Sequence, residues 1–273
     1  MVAGFRALEN ERSKPLFRDP LAAKLVGEHG KKIPGLRAAA LRRRLVGRDS
    51  HRDHRRLHPA SDRRRRRHHP QSQRWARYRS YRIDLPSSFR WIEVDFPHMI
   101  ELKETLLAGE RPSCRLERMS LDLTDRALRR KLLADVSARS NKLLVLTEGV
   151  IPYLTNQDVA DVADDLRHIE KIGFWITDYF SPEAIRFGEK MRARFMRNAP
   201  FQFNPKDWFA FFGERGWRAS EIRYISEEAN RLSRPIPLPF FMLVWFGLKN
   251  LFASRARREG LKRFAAYVLL VPK

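Results

Sequence analysis

Apolar positions from Phe89 onward follow two alternating rhythms. Compact apolar runs at Phe89–Val94, Arg115–Leu121, Lys142–Leu146 and Phe174–Thr177 predict strands. Between them, apolar residues return every three or four positions. That spacing predicts helices over His98–Ala108, from Thr124 or Asp125 to about Arg139, and from Asn156 to about Lys171. Pro97 stands where a helix entry tolerates proline, and Thr124 or Asp125 offers a capping oxygen. Further helices are expected around Glu183–Arg197 and Pro205–Arg215. Late strands are expected at Trp217–Ile225 and Phe264–Val271, with the apolar segment Ile236–Phe252 between them. Lys142–Leu146 is apolar enough to be a central strand. Upstream, Phe5–Gly27 reads as two helical pieces broken at Pro15 and Pro20, and Leu36–Val46 as a basic helix. Strands alternating with helices predict an α/β fold with a doubly wound, mostly parallel sheet, whose ligand lies beyond the carboxyl ends of the strands.

The rhythm fails between Gly47 and Ser80. From Arg48 to Arg82 there are thirteen arginines and five of the chain's eight histidines, and Leu57 is the only aliphatic residue larger than alanine. Such a segment cannot bury apolar surface, so residues 47–80 are expected to be irregular. The expected organisation is a single domain over 1–273: a helical cap (1–46), this anomalous segment, and the remainder of the α/β core (81–273).

Charge changes the picture less than its total suggests. The net charge is +23 over 273 residues, but Arg42–Arg82 alone holds sixteen arginines against three aspartates. The Arg63–Arg67 run would attract phosphates without sequence preference, so no specific nucleic-acid partner is expected, only non-specific binding through Arg42–Arg82. The His54 and His58 spacing suits one helical face, yet the arginines around it oppose a metal cation, and none is expected. Cys114 is the single cysteine, which excludes an internal disulfide and points to the cytoplasm. Met1–Lys24 contains no signal-like apolar run, and Ile236–Leu248 is too short to span a bilayer, so no membrane span is expected.

Three acids stand just past successive strand ends: Asp95, Asp122 and Glu148. A strand-end carboxylate can accept both hydroxyls of a ribose. Asp95 or Glu93 could serve, since residues two apart on a strand face the same side. Asp122 could accept from an adenine amino group, with Leu123 packed on the base. The competing reading of each acid is a helix cap or a solvated charge. His29, His98 and His168 read as surface or cap residues, and Cys114 as core. Trp208, Phe209, Phe211 and Phe212 read as a packing stripe, or with Phe240, Phe241 and Trp245 as an apolar pocket wall.

Four segments occur in order at suitable spacing: RALENERSKPLFRDPLAAKL (6–25), YRIDLPSSFRWIEVDFP (81–97), SLDLTD (120–125) and LTEGVIPYL (146–154). Together they resemble the leucine carboxyl methyltransferase-like family of class I S-adenosyl-L-methionine (SAM)-dependent methyltransferases, and within it the bacterial O-methyltransferase branch. The resemblance implies a Rossmann-like fold with an N-terminal helical cap, SAM as cofactor, and a small-molecule or carboxylate substrate. It implies cofactor contacts at Asp95, Asp122, Leu123 and Glu148, with Glu93 beside Asp95. Tyr153 falls near the expected transfer site and is the one candidate catalytic residue.

The chain departs from that family where a strand should run into a glycine loop. Gly47 is the last glycine before Gly109, and only Tyr81 and Arg82 remain of the loop. The genetic code suggests why. Tryptophan is TGG and alanine begins with G, so Trp75-Ala76 read one base later necessarily contains GGG, a glycine codon. A run of CGN arginine codons read the same way becomes GNC, which encodes glycine, alanine, valine or aspartate. Compensating frame slips near Gly47 and near Ser80, whether sequencing errors or real mutations, would account for the tract; the alternatives to an active methyltransferase are a methyltransferase-derived chain that has lost cofactor binding and a nucleic-acid-binding protein that uses Arg42–Arg82.

Overall fold

The computed structural model describes residues 79–186, 201–233 and 263–273, with Gly260. The expected helices at Phe5–Gly27 and Leu36–Val46, most of the arginine tract, and the apolar Ile236–Phe252 lie outside them. The chain divides into two compact units, and the boundary within the described residues falls between Ser120 and Leu121.

In the first unit a short helix α1 (Arg79–Arg82) precedes strand β1 (Arg90–Asp95), helix α2 (Pro97–Leu106) and strand β2 (Arg115–Ser120). The two strands pair in parallel, from Arg90 opposite Arg115 to Asp95 opposite Ser120. Pro97 opens α2, where a missing N–H does no harm. Ile100 and Leu107 are buried, and so is Lys103. The Ser113 hydroxyl lies 2.7 Å from the carbonyl oxygens of Ser80 and Ile83, tying α1 to the approach to β2. Helix thus begins at Arg79, slightly inside the stretch expected to be irregular.

The second unit contains helix α3 (Arg126–Ala138), strand β3 (Leu143–Thr147), a 3-10 turn (Ile151–Tyr153) and helix α4 (Asn156–Arg167). Strand β4 (Ile172–Phe180), helix α5 (Trp208–Gly213), strand β5 (Trp217–Tyr224), helix α6 (Ile225–Arg231) and strand β6 (Ala265–Pro272) complete it. The sheet order is β3-β4-β6-β5, with β3 parallel to β4 and β6 antiparallel to both its neighbours. Asp125 caps α3 by accepting from the Leu128 N–H, and Thr155 with Asp158 forms a reciprocal capping box on α4. The buried face of α4 (Val159, Val162, Ala163, Leu166) packs with Trp175, Phe212 and Trp217. The indole N–H groups do not go unpaired: Trp217 donates to the Ala163 carbonyl at 3.0 Å and Trp175 to the Thr147 hydroxyl at 2.9 Å. His168 is the C-cap of α4, Cys114 is buried, and Trp208 and Phe212 are core while Phe209 stays exposed.

The α/β character is as the sequence predicts, with two corrections. First, α4 ends at Arg167 rather than near Lys171. The Lys171 carbonyl already accepts from the Leu143 N–H at 2.8 Å, so that residue belongs to the sheet entry. Second, β4 runs on to Phe180, because antiparallel β6 pairs with it as far as Phe180 opposite Ala265; Asp178 therefore lies inside the strand, not past it. Among the described residues β4 is the strand neighbour of β3, on one side, and Leu144 is 56% exposed. Helix α6 carries no buried residue, so its short polar sequence gave no periodic signal. No helix among the described residues is long and apolar enough to cross a membrane.

Candidate cofactor site

Glu93 and Asp95 point the same way from β1, and a buried lysine explains how two carboxylates share one side of a strand. The Lys103 ammonium comes from α2. It pairs with Glu93 Oε1 and, at 2.9 Å, with Asp95 Oδ2. Its side chain is only 5% exposed. Glu93 Oε2 also meets Arg118 Nε at 3.3 Å, and the Arg118 guanidinium donates to the Tyr81 hydroxyl at 2.7 Å. Two cations therefore hold Glu93 in a half-closed setting. Asp95 is more open: its side chain is 32% exposed, and Oδ1 takes the Phe96 N–H at 3.0 Å. Each carboxylate oxygen has a second lone pair, so Asp95 is the more accessible acceptor of the two.

Asp122 lies in the turn after β2, exposed, with Oδ1 accepting from both the backbone N–H and the hydroxyl of Thr124. Leu123 is half-buried, and its carbonyl accepts from Arg129 Nη1. Arg129 is in turn buried against Asp165 of α4 at 2.6 Å, with Arg130 on the other oxygen at 2.7 Å. Burial pushes the Asp165 carboxyl up, but Arg130 and Arg129 together bring it below its ordinary value. The turn that carries Asp122 and Leu123 is thus anchored to the α3–α4 pair.

Glu148 follows β3 directly. Thr147 pairs with Thr177 in the parallel register, so Glu148 and Asp178 emerge side by side on the opposite face. Asp178 Oδ2 accepts the Gly149 N–H at 2.6 Å, and the Tyr267 hydroxyl donates to Glu148 Oε1 at 3.4 Å. Burial, and to a lesser degree the Glu148 charge, pushes the Asp178 carboxyl up to about 7 against the Gly149 hydrogen bond. Tyr153 ends the 3-10 turn and meets Phe201 edge-on at 5.3 Å; the Gln202 amide donates to its carbonyl at 2.8 Å.

Asp95 and Glu93 belong to the first unit, and Asp122, Leu123, Glu148 and Tyr153 to the second. Open carboxylates at strand ends suit the hydroxyls and amino group of an adenosine, and repel phosphates. Gly149 sits at φ +64° with nothing within 4 Å of a would-be Cβ, so its turn is open to a ligand. Each of these carboxylates, taken by itself, is an acceptor of the kind that a hydroxyl or amino group of adenosine requires. For the methionine half of SAM, the sequence between Gly47 and Gly109 offers no glycine at all. No cluster able to hold a metal ion occurs among the described residues. Sequence reasoning missed Lys103, Arg118, Asp178 and Tyr267. Of these, only Asp178 carried a signal, since it closes the fourth predicted strand as the other acids close theirs.

Residues 77–167, which contain all six predicted site residues, match the family model described as leucine carboxyl methyltransferase. A Frankia alni protein named "Putative S-adenosyl-L-methionine-dependent methyltransferase" is 26% identical over 260 residues, covering 87% of this chain and 88% of that protein. The tetracenomycin polyketide synthesis O-methyltransferase TcmP of Streptomyces glaucescens is 31% identical over 112 residues, or 41% of this chain and 38% of that protein. The crystal structure of a DUF574 family protein from Streptomyces avermitilis gives a TM-score of 0.43 at 14% identity, over 68% of this chain and 66% of that one. The family pattern thus falls on the elements that carry the strand-end acids, over residues 77–167, and the chain is similar along most of its length to a protein named as a SAM-dependent methyltransferase.

Proposed function

We propose that this fold serves methyl transfer from SAM to an oxygen: a carboxylate or hydroxyl of a small molecule, or a C-terminal carboxyl group. One observation carries the reading: Asp95 ends β1, Asp122 follows β2 and Glu148 follows β3, each delivering a carboxylate at a strand's carboxyl end. Asp95 would accept the ribose hydroxyls, with Glu93 held behind it by Lys103 and Arg118. Asp122 would accept from the adenine amino group and Leu123 would pack on the base. Glu148 would be a further cofactor contact, and Tyr153 would stand near the acceptor. When bound, SAM supplies a methyl group on a sulfonium, open to in-line displacement. The protein's contribution is then to align the acceptor oxygen and exclude water. A carboxylate acceptor is already ionised and needs no base, whereas a hydroxyl does. The single cysteine agrees with a reducing, cytoplasmic setting.

Calorimetric titration with S-adenosylhomocysteine (SAH), the demethylated product, tests the reading. Stoichiometric binding that Asp95→Ala weakens at least tenfold supports it, and equal binding by both chains sinks the assignment of Asp95. A second reading rests on the missing glycines: the chain descends from a methyltransferase and no longer holds the cofactor. It predicts no binding heat at any accessible concentration.

A further inference from the structure

We propose that Asp178 is a positioning residue for Glu148: by holding the Gly149 N–H it fixes the turn that presents Glu148 at the carboxyl end of β3. The inference rests on the proposed place of Glu148 in the cofactor pocket. The nitrogen that Asp178 holds belongs to the peptide bond joining Glu148 to Gly149. That bond is planar, so a fixed N–H fixes the plane and with it the backbone torsion of Glu148. The turn needs such a restraint. Gly149 is at φ +64° and exposed, and residues 148–150 form bends between the end of β3 and the 3-10 turn. A glycine there is otherwise free to swing. Asp178 itself is anchored, in the middle of the β4–β6 ladder opposite Tyr267, and is only 6% exposed. The Tyr267 hydroxyl adds a second, longer tether to Glu148 Oε1. Two strands thus converge on one side chain.

A carboxyl is a costly choice for a buried loop tie, because its charged form is poorly solvated there. The groups that the flanking strands range beside it are Glu148, past β3, and Tyr267, on β6. An asparagine would hold the same N–H with no ionisation penalty. What asparagine lacks is the stronger, charge-assisted bond that the ionised form makes.

The full-length chain and its Asp178→Asn and Asp178→Leu variants distinguish positioning from a plain structural tie. The amide of Gly149, followed by 1H–15N NMR across pH 7, reports the restraint directly. In the wild type its proton should move downfield as pH rises through about 7. In Asp178→Asn the shift should be flat with pH, and in Asp178→Leu it should lie upfield throughout. Calorimetry with SAH should give Asp178→Asn wild-type affinity below pH 7 and about fivefold weaker affinity above it, the difference between a charged and a neutral acceptor. Asp178→Leu should be weaker at both. A Gly149 amide unaffected by either substitution, or SAH affinities equal in all three proteins at every pH, would overturn the proposal. If the wild type takes up no SAH at any pH, the cofactor reading fails, and the NMR arm alone decides whether Asp178 restrains the turn.

Discussion

Lys103 shows why a site's acids are easier to find in a sequence than the groups that govern them. Asp95, Glu93, Asp122 and Glu148 follow from a local rule, that acids at strand ends face the ligand edge. Lys103 sits on the next element, and nothing in the spacing of α2 tells which carboxylate it will meet. Its ammonium is buried between two acids, so removing it takes the cation from Asp95 and leaves Glu93 with Arg118 alone. Lys103→Met should destabilise the chain by about 3–5 kcal/mol, and adding Glu93→Gln should recover part of that loss. Urea unfolding of the single and double variants measures both; an unchanged midpoint in the single variant would count against the network. Asp178 gives the opposite sign. Its carboxyl is raised from 3.8 to about 7, so the folded chain binds this proton where the unfolded chain has released it. That contribution to stability is complete below the unfolded value and is lost as pH rises through about 7. Asp178→Asn should therefore be more stable than the wild type at pH 8, by a few kcal/mol at most, with the gap closing toward pH 4. Thermal unfolding across that range checks it. If the same substitution weakens SAH binding above pH 7, Asp178 trades stability for position.

At the scale of elements, most of what was legible came from caps and periodicity. Asp125 caps the helix that its position foretold, the helix expected from Asn156 begins there, and the α4 stripe from Val159 to Leu166 buries as its spacing requires. Ends were less legible, because tertiary pairing sets them: β6 extends β4, and the sheet claims Lys171. The α3–α4 contact was not legible at all, since it depends on a polar cluster. Arg129 and Asp165 are buried together, and Arg129 also reaches back to the Leu123 carbonyl. Arg129→Met should cost about 3–5 kcal/mol, because Asp165 keeps a buried charge with only the more exposed Arg130 left to meet it. The lowered Asp165 carboxyl means that its stabilising effect holds above 3.8 and is lost as pH falls through the lowered value. Asp165→Asn should accordingly lose stability at neutral pH and show a shallower acid limb. Parallel acid limbs in the two proteins would show that the Arg129–Asp165–Arg130 cluster does not set that limb.

The whole molecule turns on the tract between Gly47 and Ser80. Among the described residues, β1 pairs only with β2, and β3 only with β4. The backbone groups on their other sides are the kind that natural sheets pair or cover. In chain order the segment that should precede β1 with a strand and a glycine loop is the arginine tract. Two slips of frame would explain why polarity and charge change abruptly there while the family pattern holds over residues 77–167. The gene decides the matter. Read one base later between the codons for Gly47 and Ser80, it should stay open and yield apolar residues followed by a glycine loop. A stop codon in that frame ends the idea. A frame-restored chain should bind SAH with one-to-one stoichiometry, at least tenfold more tightly than the chain as it stands, and should melt at a higher temperature, because a sequence able to bury apolar surface replaces one too polar to do so. The same repair should abolish any steep salt dependence of nucleic-acid binding, since the phosphate-attracting arginines go with the shifted frame. If instead the chain as it stands binds SAH tightly and the repaired one does not, the tract belongs to the working protein, and the methionine half of the cofactor is held without a glycine loop.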